Sequence, residues 1–253
     1  GRAAGAAFAA ARTLAAMSQF AGQLALVTGS SRGIGAATAE ALAAQGAHVI
    51  LTGRDTRALE AVEERVHAAG GSATIAPLDL TEPDGIARLA TAISQRWQAL
   101  DILVLNAAIL PQLTSVTDID QAAFNKALTT NVLATQAIRS AFDPMLRNSA
   151  DARVIGLTST VASQPRAYWG AYAASKAAAD VLLDCYAQET RNISKIRVAV
   201  VNPGATRTAM RAKAYPGEDP ASVQPPEAVA VRLISLLGEQ FTSGYRETVN
   251  QRG

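Results

Sequence analysis

The sequence Leu24-Ala25-Leu26-Val27-Thr28-Gly29-Ser30-Ser31-Arg32-Gly33-Ile34-Gly35 decides the fold class. An apolar run of strand length leads into a glycine-rich turn, and the alanine-rich residues 36–45 that follow favour a helix. Glycines in such a turn let the backbone approach a pyrophosphate, and the helix N-terminus offers free N–H groups. A plain tight connection between a strand and a helix would also fit, so the meaning of the turn depends on the rest of the chain.

Short apolar runs of the same kind recur along the chain and alternate with segments of helical composition. Because their apolar character is nearly continuous, the sheet that they form is expected to be parallel and covered by helices on both faces. The predicted fold is therefore a doubly wound α/β Rossmann fold, and 253 residues suffice to make it a single domain. The predicted strands are residues 24–28, 48–51, 73–77, 102–105, 153–157 and 196–201.

Composition excludes several kinds of partner. The formal net charge is only +2 and no basic stripe is present, so we expect no nucleic-acid partner. No membrane association is expected, and His48, His67 and the single cysteine, Cys185, are too scattered to predict a metal site. A lone cysteine allows no intrachain disulfide, which favours a cytoplasmic location. The glycine turn also lacks the lysine of a nucleoside-triphosphate loop.

Two segments stand apart from the alternating pattern. Residues 1–16 are mostly alanine with Arg2 and Arg12, and we interpret them as an extension that precedes a domain spanning residues 17–253; a transit peptide is the alternative. Residues 215–226 are rich in proline and glycine, which predicts a mobile flap over about residues 205–226.

The end of the second predicted strand bears on the choice of dinucleotide. An acidic residue at this point would bind both ribose hydroxyls, whereas Gly53 and Arg54 leave room for a 2′-phosphate and a guanidinium to bind it. Arg32 can approach the same phosphate from the glycine turn. NADPH is therefore expected in preference to NADH. The alternative is that both arginines are ordinary surface residues, and Asp55 could pair with Arg54.

Tyr172 and Lys176 are candidates for the chemical centre. They are four residues apart in a predicted helix, so the ammonium can stabilise a phenolate on the same helix face. Such a tyrosine can act as acid or base near neutral pH. Ser159 follows the strand at residues 153–157, where its hydroxyl could bind a substrate oxygen. Each feature alone is also common on ordinary helix surfaces and strand ends.

Taken together, these motifs resemble those of the classical short-chain dehydrogenase/reductase family over residues 23–250. The resemblance rests on their order and spacing: Thr28 to Gly35, Asn106-Ala107-Ala108, Asn131, Ser159, Tyr172 to Lys176 and Pro203-Gly204. Departures are Leu105 and Ala108 beside the Asn-Ala pair, and the absence of a glycine pair after residues 245–250.

The resemblance implies a role for each matching residue. Tyr172 would be the proton donor or acceptor, and Ser159 would position the carbonyl. Lys176 would lower the pKa of the tyrosine and bind the nicotinamide ribose. Asn131 would bend a central helix and hold a water in a proton relay. The expected cofactor contacts are Gly29, Ser31, Arg32, Gly33, Ile34, Gly35, Arg54, Asp79, Leu80, Asn106, Ala107, Ala108, Tyr172, Lys176, Pro203, Gly204, Thr206 and Thr208.

The expected activity is NADPH-dependent transfer of hydride between a nicotinamide and a carbonyl or alcohol carbon. The alternative is a catalytically silent protein that senses a nucleotide or acts as a scaffold. The pocket is expected to be lined by residues 108–110, 160–162, Gln164, Tyr168, Trp169 and the flap, which suggests an apolar substrate; Arg166, Arg207 and Arg211 would meet an acidic group if they face inward. A homodimer or homotetramer through residues 124–147 and 172–191 is also implied.

Overall fold

The computed structural model describes residues 19–249. They form one seven-stranded sheet in the order β3-β2-β1-β4-β5-β6-β7, with every neighbouring pair parallel. The doubly wound prediction is thereby confirmed. The strands are β1 Leu24–Thr28, β2 His48–Gly53, β3 Ser72–Pro77, β4 Ile102–Leu105, β5 Arg153–Leu157, β6 Arg197–Asn202 and β7 Tyr245–Thr248.

Both faces of the sheet are buried, which explains the apolar runs. In β1, Ala25 and Val27 belong to one core cluster, whereas Leu24 and Leu26 belong to the cluster on the opposite face. Alternate positions of a strand point to opposite faces, so a strand covered on both sides needs apolar residues throughout. The helices are α1 Gly33–Ala44, α2 Thr56–Ala68, α3 Gly85–Ser94, α4 Gln121–Leu128, α5 Ala134–Asn148, α6 Thr160–Ser163, α7 Gly170–Thr190, α8 Ala209–Ala214 and α9 Pro226–Gly238.

The sheet order places the candidate site. Strand β1 pairs with β2 on one side and with β4 on the other, so the chain direction across the sheet reverses between β1 and β4. In open α/β sheets a ligand binds at this reversal, beyond the carboxyl ends of the strands. The glycine turn after β1 and the segments after β4, β5 and β6 all lie at that edge.

Residues 124–147 are helical throughout, as the sequence predicts, but not all of them are α-helical. A π-helical turn at Thr129–Leu133 separates α4 from α5. Asn131 lies in this turn, buried, and its amide bonds to the backbone of Ile109 after β4. The helix is therefore irregular at Asn131, and two hydrogen bonds join this turn to another loop. The expected bend of the helix stays a prediction.

The flap also has more structure than its proline and glycine content predicts. It contains α8 and a 3-10 turn at Pro220–Ser222, and the side chains of Thr208 and Asp219 cap their N-termini. An ion pair between Arg211 and Glu218 (2.6 Å) closes the loop between them. The predicted extension at residues 1–16 lies outside the described residues.

Candidate active site

Tyr172 and Lys176 lie one helical turn apart at the start of α7, and both side chains are buried. The Lys176 Nζ donates a 2.5 Å hydrogen bond to the carbonyl oxygen of Leu157, the last residue of β5. The Tyr172 hydroxyl faces the sulfur of Met210 on α8 at 3.7 Å. Helix α7 therefore presents a phenol and an ammonium at the carboxyl end of the central sheet.

Burial dominates the pKa values of this pair. It raises the pKa of Tyr172 to about 12 and lowers the pKa of Lys176 to about 8, and the negative charge of Asp180 raises both. Desolvation of the phenolate is the largest cause of the raised tyrosine pKa. That Lys176 lowers this pKa stays a prediction. At neutral pH the phenol is protonated, as a proton donor requires.

Ser159 lies directly between β5 and α6, and its backbone is extended. Among residues 19–249 its hydroxyl has no hydrogen-bond partner, and the residue is only partly buried. A hydroxyl left free at the ligand edge of the sheet can bind a substrate oxygen.

Asn131 uses its whole side-chain amide within the protein. Its Oδ1 accepts from the Ile109 N–H (2.8 Å), and its Nδ2 donates to the Ile109 carbonyl (3.0 Å) and to the Ser175 Oγ (3.0 Å). Ser175 lies next to Lys176 on α7. Asn131 therefore ties the π-helical turn and the loop after β4 to the helix that carries the candidate centre. The water that the family resemblance implies stays a prediction.

The glycine turn has the shape that a pyrophosphate needs. Gly29 and Gly33 have positive φ, and a Cβ on Gly35 would lie 2.2 Å from the Gly29 carbonyl oxygen, so the turn and α1 can pack this closely only with glycine there. No side chain caps the N-terminus of α1, and its first turn holds no acid. Free N–H groups and the helix dipole there suit an anion.

Two hydrogen-bonded residues join the glycine turn to β4. The Asn106 amide donates to the carbonyls of Thr28 (2.9 Å) and Gly29 (3.1 Å). The Thr28 hydroxyl accepts from the backbone N–H groups of Asn106 and Ala107, both at 3.0 Å. These bonds fix the spacing between the ends of β1 and β4, where the sheet order reverses.

The end of β2 leaves space where a ribose is expected. A Cβ on Gly53 would meet Ser31 at 3.6 Å, an ordinary contact, and its φ is not positive, so the fold itself does not require glycine there. Arg32 and Arg54 are exposed, and neither has an ion-pair partner within residues 19–249. Asp55 instead accepts from the Ala58 N–H and caps α2, so it does not pair with Arg54.

The remaining residues that are expected to contact a cofactor differ in whether their polar groups are already hydrogen-bonded within the protein. Asp79 Oδ1 accepts both the N–H and the hydroxyl of Thr81, which lowers the pKa of Asp79, and Leu80 packs against the core. The Thr206 hydroxyl is buried and donates to the carbonyls of Pro203 and Gly204 within its own loop. Ile34 packs on the core beside the turn, and Ala108 is partly exposed. The methyl of Thr208 lies 3.5 Å from a Cβ built on Gly33. That these residues contact a cofactor stays a prediction.

The surroundings of Tyr172 are apolar. The side chain belongs to a cluster with Leu110, Val161 and Ala173, against which Trp169 and Met210 pack. The Trp169 ring meets the rings of Tyr172 and Tyr215 at 6.0 and 5.8 Å. Tyr168, in contrast, is 63% exposed and does not belong to this cluster.

The arginines of this region do not offer a free charge to the apolar cluster. Arg211 forms two hydrogen bonds to Glu218 (2.7 and 2.6 Å) and stacks on Tyr215 at 3.8 Å. Arg166 and Arg207 are exposed. Glu218 thus already pairs with the Arg211 guanidinium, and an acidic substrate group that meets any of the three arginines stays a prediction.

Sequence reasoning missed two residues that shape the site. Asn202 at the end of β6 donates to the Thr160 hydroxyl (2.8 Å) and accepts from the Gly204 N–H (3.0 Å), which joins α6 to the Pro203-Gly204 turn. No local pattern indicates this role. Asp180 follows Lys176 by four residues, the spacing that joins Tyr172 to Lys176, so the sequence did contain a signal for it.

Two features of other protein classes are missing from the described part of the chain. Across residues 19–249, no three His, Cys, Asp or Glu side chains are grouped so that they could hold a metal ion. None of the helices there has the length and hydropathy needed to cross a membrane.

Known sequences match the chain over most of its length. A family model described as short chain dehydrogenase matches residues 23–219. The oxidoreductase YciK of Escherichia coli K12 is 34% identical over 217 residues, which is 85% of each chain. A 2,3-dihydro-2,3-dihydroxybenzoate dehydrogenase of Bacillus subtilis is 34% identical over 79% of this chain and 76% of its own.

Solved structures match as well. A short chain dehydrogenase from Pseudomonas syringae is 36% identical with a TM-score of 0.88, and the match covers 92% of this chain and 97% of the other. One from Escherichia coli CFT073, complexed with NADPH, is 32% identical with the same TM-score and covers 92% and 99%. With the sheet order, the glycine turn and the buried Tyr172–Lys176 pair, these matches establish that the chain is an oxidoreductase of the short-chain dehydrogenase/reductase family.

Proposed function

We propose that this chain is an NADPH-dependent oxidoreductase that interconverts a carbonyl compound and an alcohol. One observation carries the proposal. The buried Tyr172 phenol lies one helical turn from the Lys176 ammonium, which is bonded to the end of β5, and the unpartnered Ser159 hydroxyl follows that same strand. An acid, a cation and a free hydroxyl at the carboxyl edge of the sheet are the groups that carbonyl reduction requires.

Each of these residues has a separate task in the proposed reaction. When bound, NADPH supplies hydride from its nicotinamide C4. Tyr172 gives its phenolic proton to the substrate oxygen, and the Ser159 hydroxyl donates a hydrogen bond to the same oxygen and orients it. Lys176 stabilises the phenolate that remains, because its ammonium lies one turn away in a site of low dielectric.

Three residues support the preference for NADPH over NADH. The fold would tolerate a side chain at position 53, so Gly53 leaves free space at the end of β2. The guanidinium groups of Arg32 and Arg54, which have no ion-pair partner within residues 19–249, flank the ends of β1 and β2. A 2′-phosphate would gain charge-assisted hydrogen bonds there. The similar proteins from Escherichia coli CFT073 and Shigella flexneri are complexed with NADPH and NADP, which agrees with this assignment.

An uncharged, apolar carbonyl compound fits the surroundings of Tyr172 best. Leu110, Val161, Trp169 and Met210 are apolar, and the one guanidinium that stacks in this region, Arg211, is neutralised by Glu218. A charged substrate would lose its hydration against these walls.

The test is a reductase assay with both cofactors on a panel of uncharged aromatic and aliphatic aldehydes and ketones. The wild type is expected to give a higher kcat/KM with NADPH. Arg54→Asp and Gly53→Asp should reverse the preference, because a carboxylate repels the 2′-phosphate and accepts bonds from the ribose hydroxyls. Arg57→Asp, an exposed position in the first turn of α2, is the matched control and should keep the preference for NADPH.

Two results would contradict the proposal. Equal preference for NADPH in the wild type and in Arg54→Asp would remove the assignment of the phosphate site. Tight NADPH binding without turnover of any carbonyl compound in the panel would favour a nucleotide-sensing or scaffold protein.

A further inference from the structure

Asp180 lies one turn after Lys176 on α7, and the reaction described above gives it no task. Its side chain is buried, with the residue only 8% exposed. Its Oδ2 accepts a 2.8 Å hydrogen bond from the Thr158 hydroxyl and lies 3.2 Å from an Arg246 guanidinium nitrogen on β7. A buried carboxylate needs such partners, because an ionised group loses its hydration inside the protein.

The Thr158 bond places Asp180 in contact with the strand end that carries Ser159. Lys176 binds the carbonyl of Leu157, and Asp180 binds the side chain of Thr158. Two successive turns of α7 thus hold two successive residues of the β5 exit, and Ser159 is the next residue. The position of its hydroxyl relative to Tyr172 therefore depends on both attachments.

The same carboxylate provides negative charge for the buried ammonium. The Nζ of Lys176 makes one hydrogen bond, to a neutral carbonyl, and the favourable charge acting on it is that of Asp180. Other charged or titratable groups face Asp180 from two elements. Tyr172, Lys176 and Asp184 lie on α7, and Arg246 on β7 bonds both Asp180 and, at 2.6 Å, Asp184.

We propose that Asp180 is a positioning residue for the active site: it fixes the β5 exit that carries Ser159 and supplies the counter-charge that keeps the buried Lys176 protonated. The part of this inference that concerns catalysis rests on the proposed function, whereas the part that concerns Lys176 does not. The two roles are separable, because Asp180→Asn removes the charge and keeps an oxygen acceptor, whereas Thr158→Val removes the hydrogen bond and keeps the charge.

The charge role is tested by NMR titration of the protein without any ligand. The sequence contains only four lysines, Lys126, Lys176, Lys195 and Lys213, so the lysine ¹³Cε signals of labelled protein can be followed individually, with Lys176→Arg to assign the buried one. In Asp180→Asn the pKa of Lys176 should fall by about one pH unit. In Arg246→Gln it should rise, since that variant removes a positive charge beside Asp180.

The matched control is Asp184→Asn, which removes a carboxylate one turn farther along α7 that also binds Arg246. It should leave the pKa of Lys176 within the error of the titration, and so should Thr158→Val. A Lys176 pKa that is the same in wild type and Asp180→Asn would overturn the charge role. Shifts of equal sign in Asp180→Asn and Arg246→Gln would also overturn it, because they would indicate general loosening of the helix.

The positioning role is tested by kinetics of carbonyl reduction. Thr158→Val should lower kcat roughly ten-fold with little change in KM, because misplacement of Ser159 affects the reacting geometry. Asp180→Asn should move the alkaline limb of the kcat/KM profile to a lower pH than in the wild type, because the negative charge of Asp180 opposes ionisation of Tyr172. A kcat for Thr158→Val equal to that of the wild type would overturn this role. If no carbonyl compound is turned over by the wild type, the proposed function fails while the NMR result still decides the charge role.

Discussion

At the scale of single residues, two lysines of this chain make the same hydrogen bond in different surroundings. Lys176 donates to the Leu157 carbonyl and is buried, whereas Lys213 donates to the Leu110 carbonyl at 2.8 Å and is exposed. Burial removes the hydration of an ammonium, and one carbonyl replaces little of it. Lys176 is therefore expected to reduce the stability of the fold, as residues placed for function often do.

We predict that Lys176→Met raises the free energy of unfolding at pH 7. Lowering the pKa of Lys176 from 10.5 to about 8 means that the buried, protonated lysine costs the wild type about 3 kcal/mol of its free energy of unfolding. The variant should recover part of this free energy. Because the folded pKa lies below the unfolded one, wild-type stability should rise as the pH increases from about 8 to 10.5, and the advantage of the variant should shrink.

Urea denaturation at pH 7 and at pH 10.5 measures this difference. Lys213→Met is the control and should not be stabilising at either pH. A Lys176→Met variant that is less stable than the wild type at pH 7 would contradict the prediction.

The residues that sequence reasoning identified differ from those it missed in how they are recognised. Tyr172 and Lys176 are four apart on one helix, and Asp180 continues the same spacing, so a local pattern suffices for all three. Asn202 and Thr160, in contrast, are 42 residues apart, and their hydrogen bond arises only because β5 and β6 pair in the sheet. The effect of burial on the Tyr172 pKa could not be predicted either, because burial cannot be quantified from spacing alone.

At the scale of helices and strands, the predicted long helix is present, and a π-helical turn joins α4 to α5 within it. Asn131 lies in this turn and bonds both backbone polar groups of Ile109. A π-helical turn inside an α-helix is rare and often marks a functional site. The identity of the partner, 22 residues away in a loop, is not encoded in any local pattern.

We predict that Asn131→Ala lowers the free energy of unfolding by about 2–4 kcal/mol, because the N–H and carbonyl of Ile109 lose their partners in a partly buried place. Asn125→Ala, an exposed position on α4, should change it by less than about 0.5 kcal/mol. Thermal unfolding followed by circular dichroism compares the two. Equal melting temperatures for the two variants would show that the Asn131 bonds do not stabilise the turn.

At the scale of the whole molecule, six strands and the parallel sheet could be predicted, since strands covered on both faces must be apolar. Strand β7 was not found from its composition, because Tyr245–Thr248 lies at the sheet edge and is polar and largely exposed. Its residues form a strand because their backbone pairs with β6, and the sequence of this segment does not indicate that pairing.

The predicted assembly through the two long helical segments remains a prediction. Leu133, the last residue of the π-helical turn, and Val181 on α7 are each 60% exposed, as expected if a second copy covers them. Sedimentation velocity at micromolar concentration should show a dimer or tetramer for the wild type and a monomer for a Leu133→Asp, Val181→Asp double variant. Val116→Asp, at a position 72% exposed before α4, should sediment like the wild type. A monomeric wild type would contradict the assembly.

The central claim is that Tyr172 protonates a substrate oxygen while hydride leaves NADPH. The most direct measurement uses NADPH that carries deuterium at C4 on the face that is transferred, with a carbonyl compound from the panel as acceptor. The wild type should give an alcohol with one deuterium on the former carbonyl carbon. Tyr172→Phe should lower turnover by about 10²–10⁴-fold while NADPH still binds. An alcohol without deuterium, or turnover by Tyr172→Phe at the wild-type rate, would contradict the account.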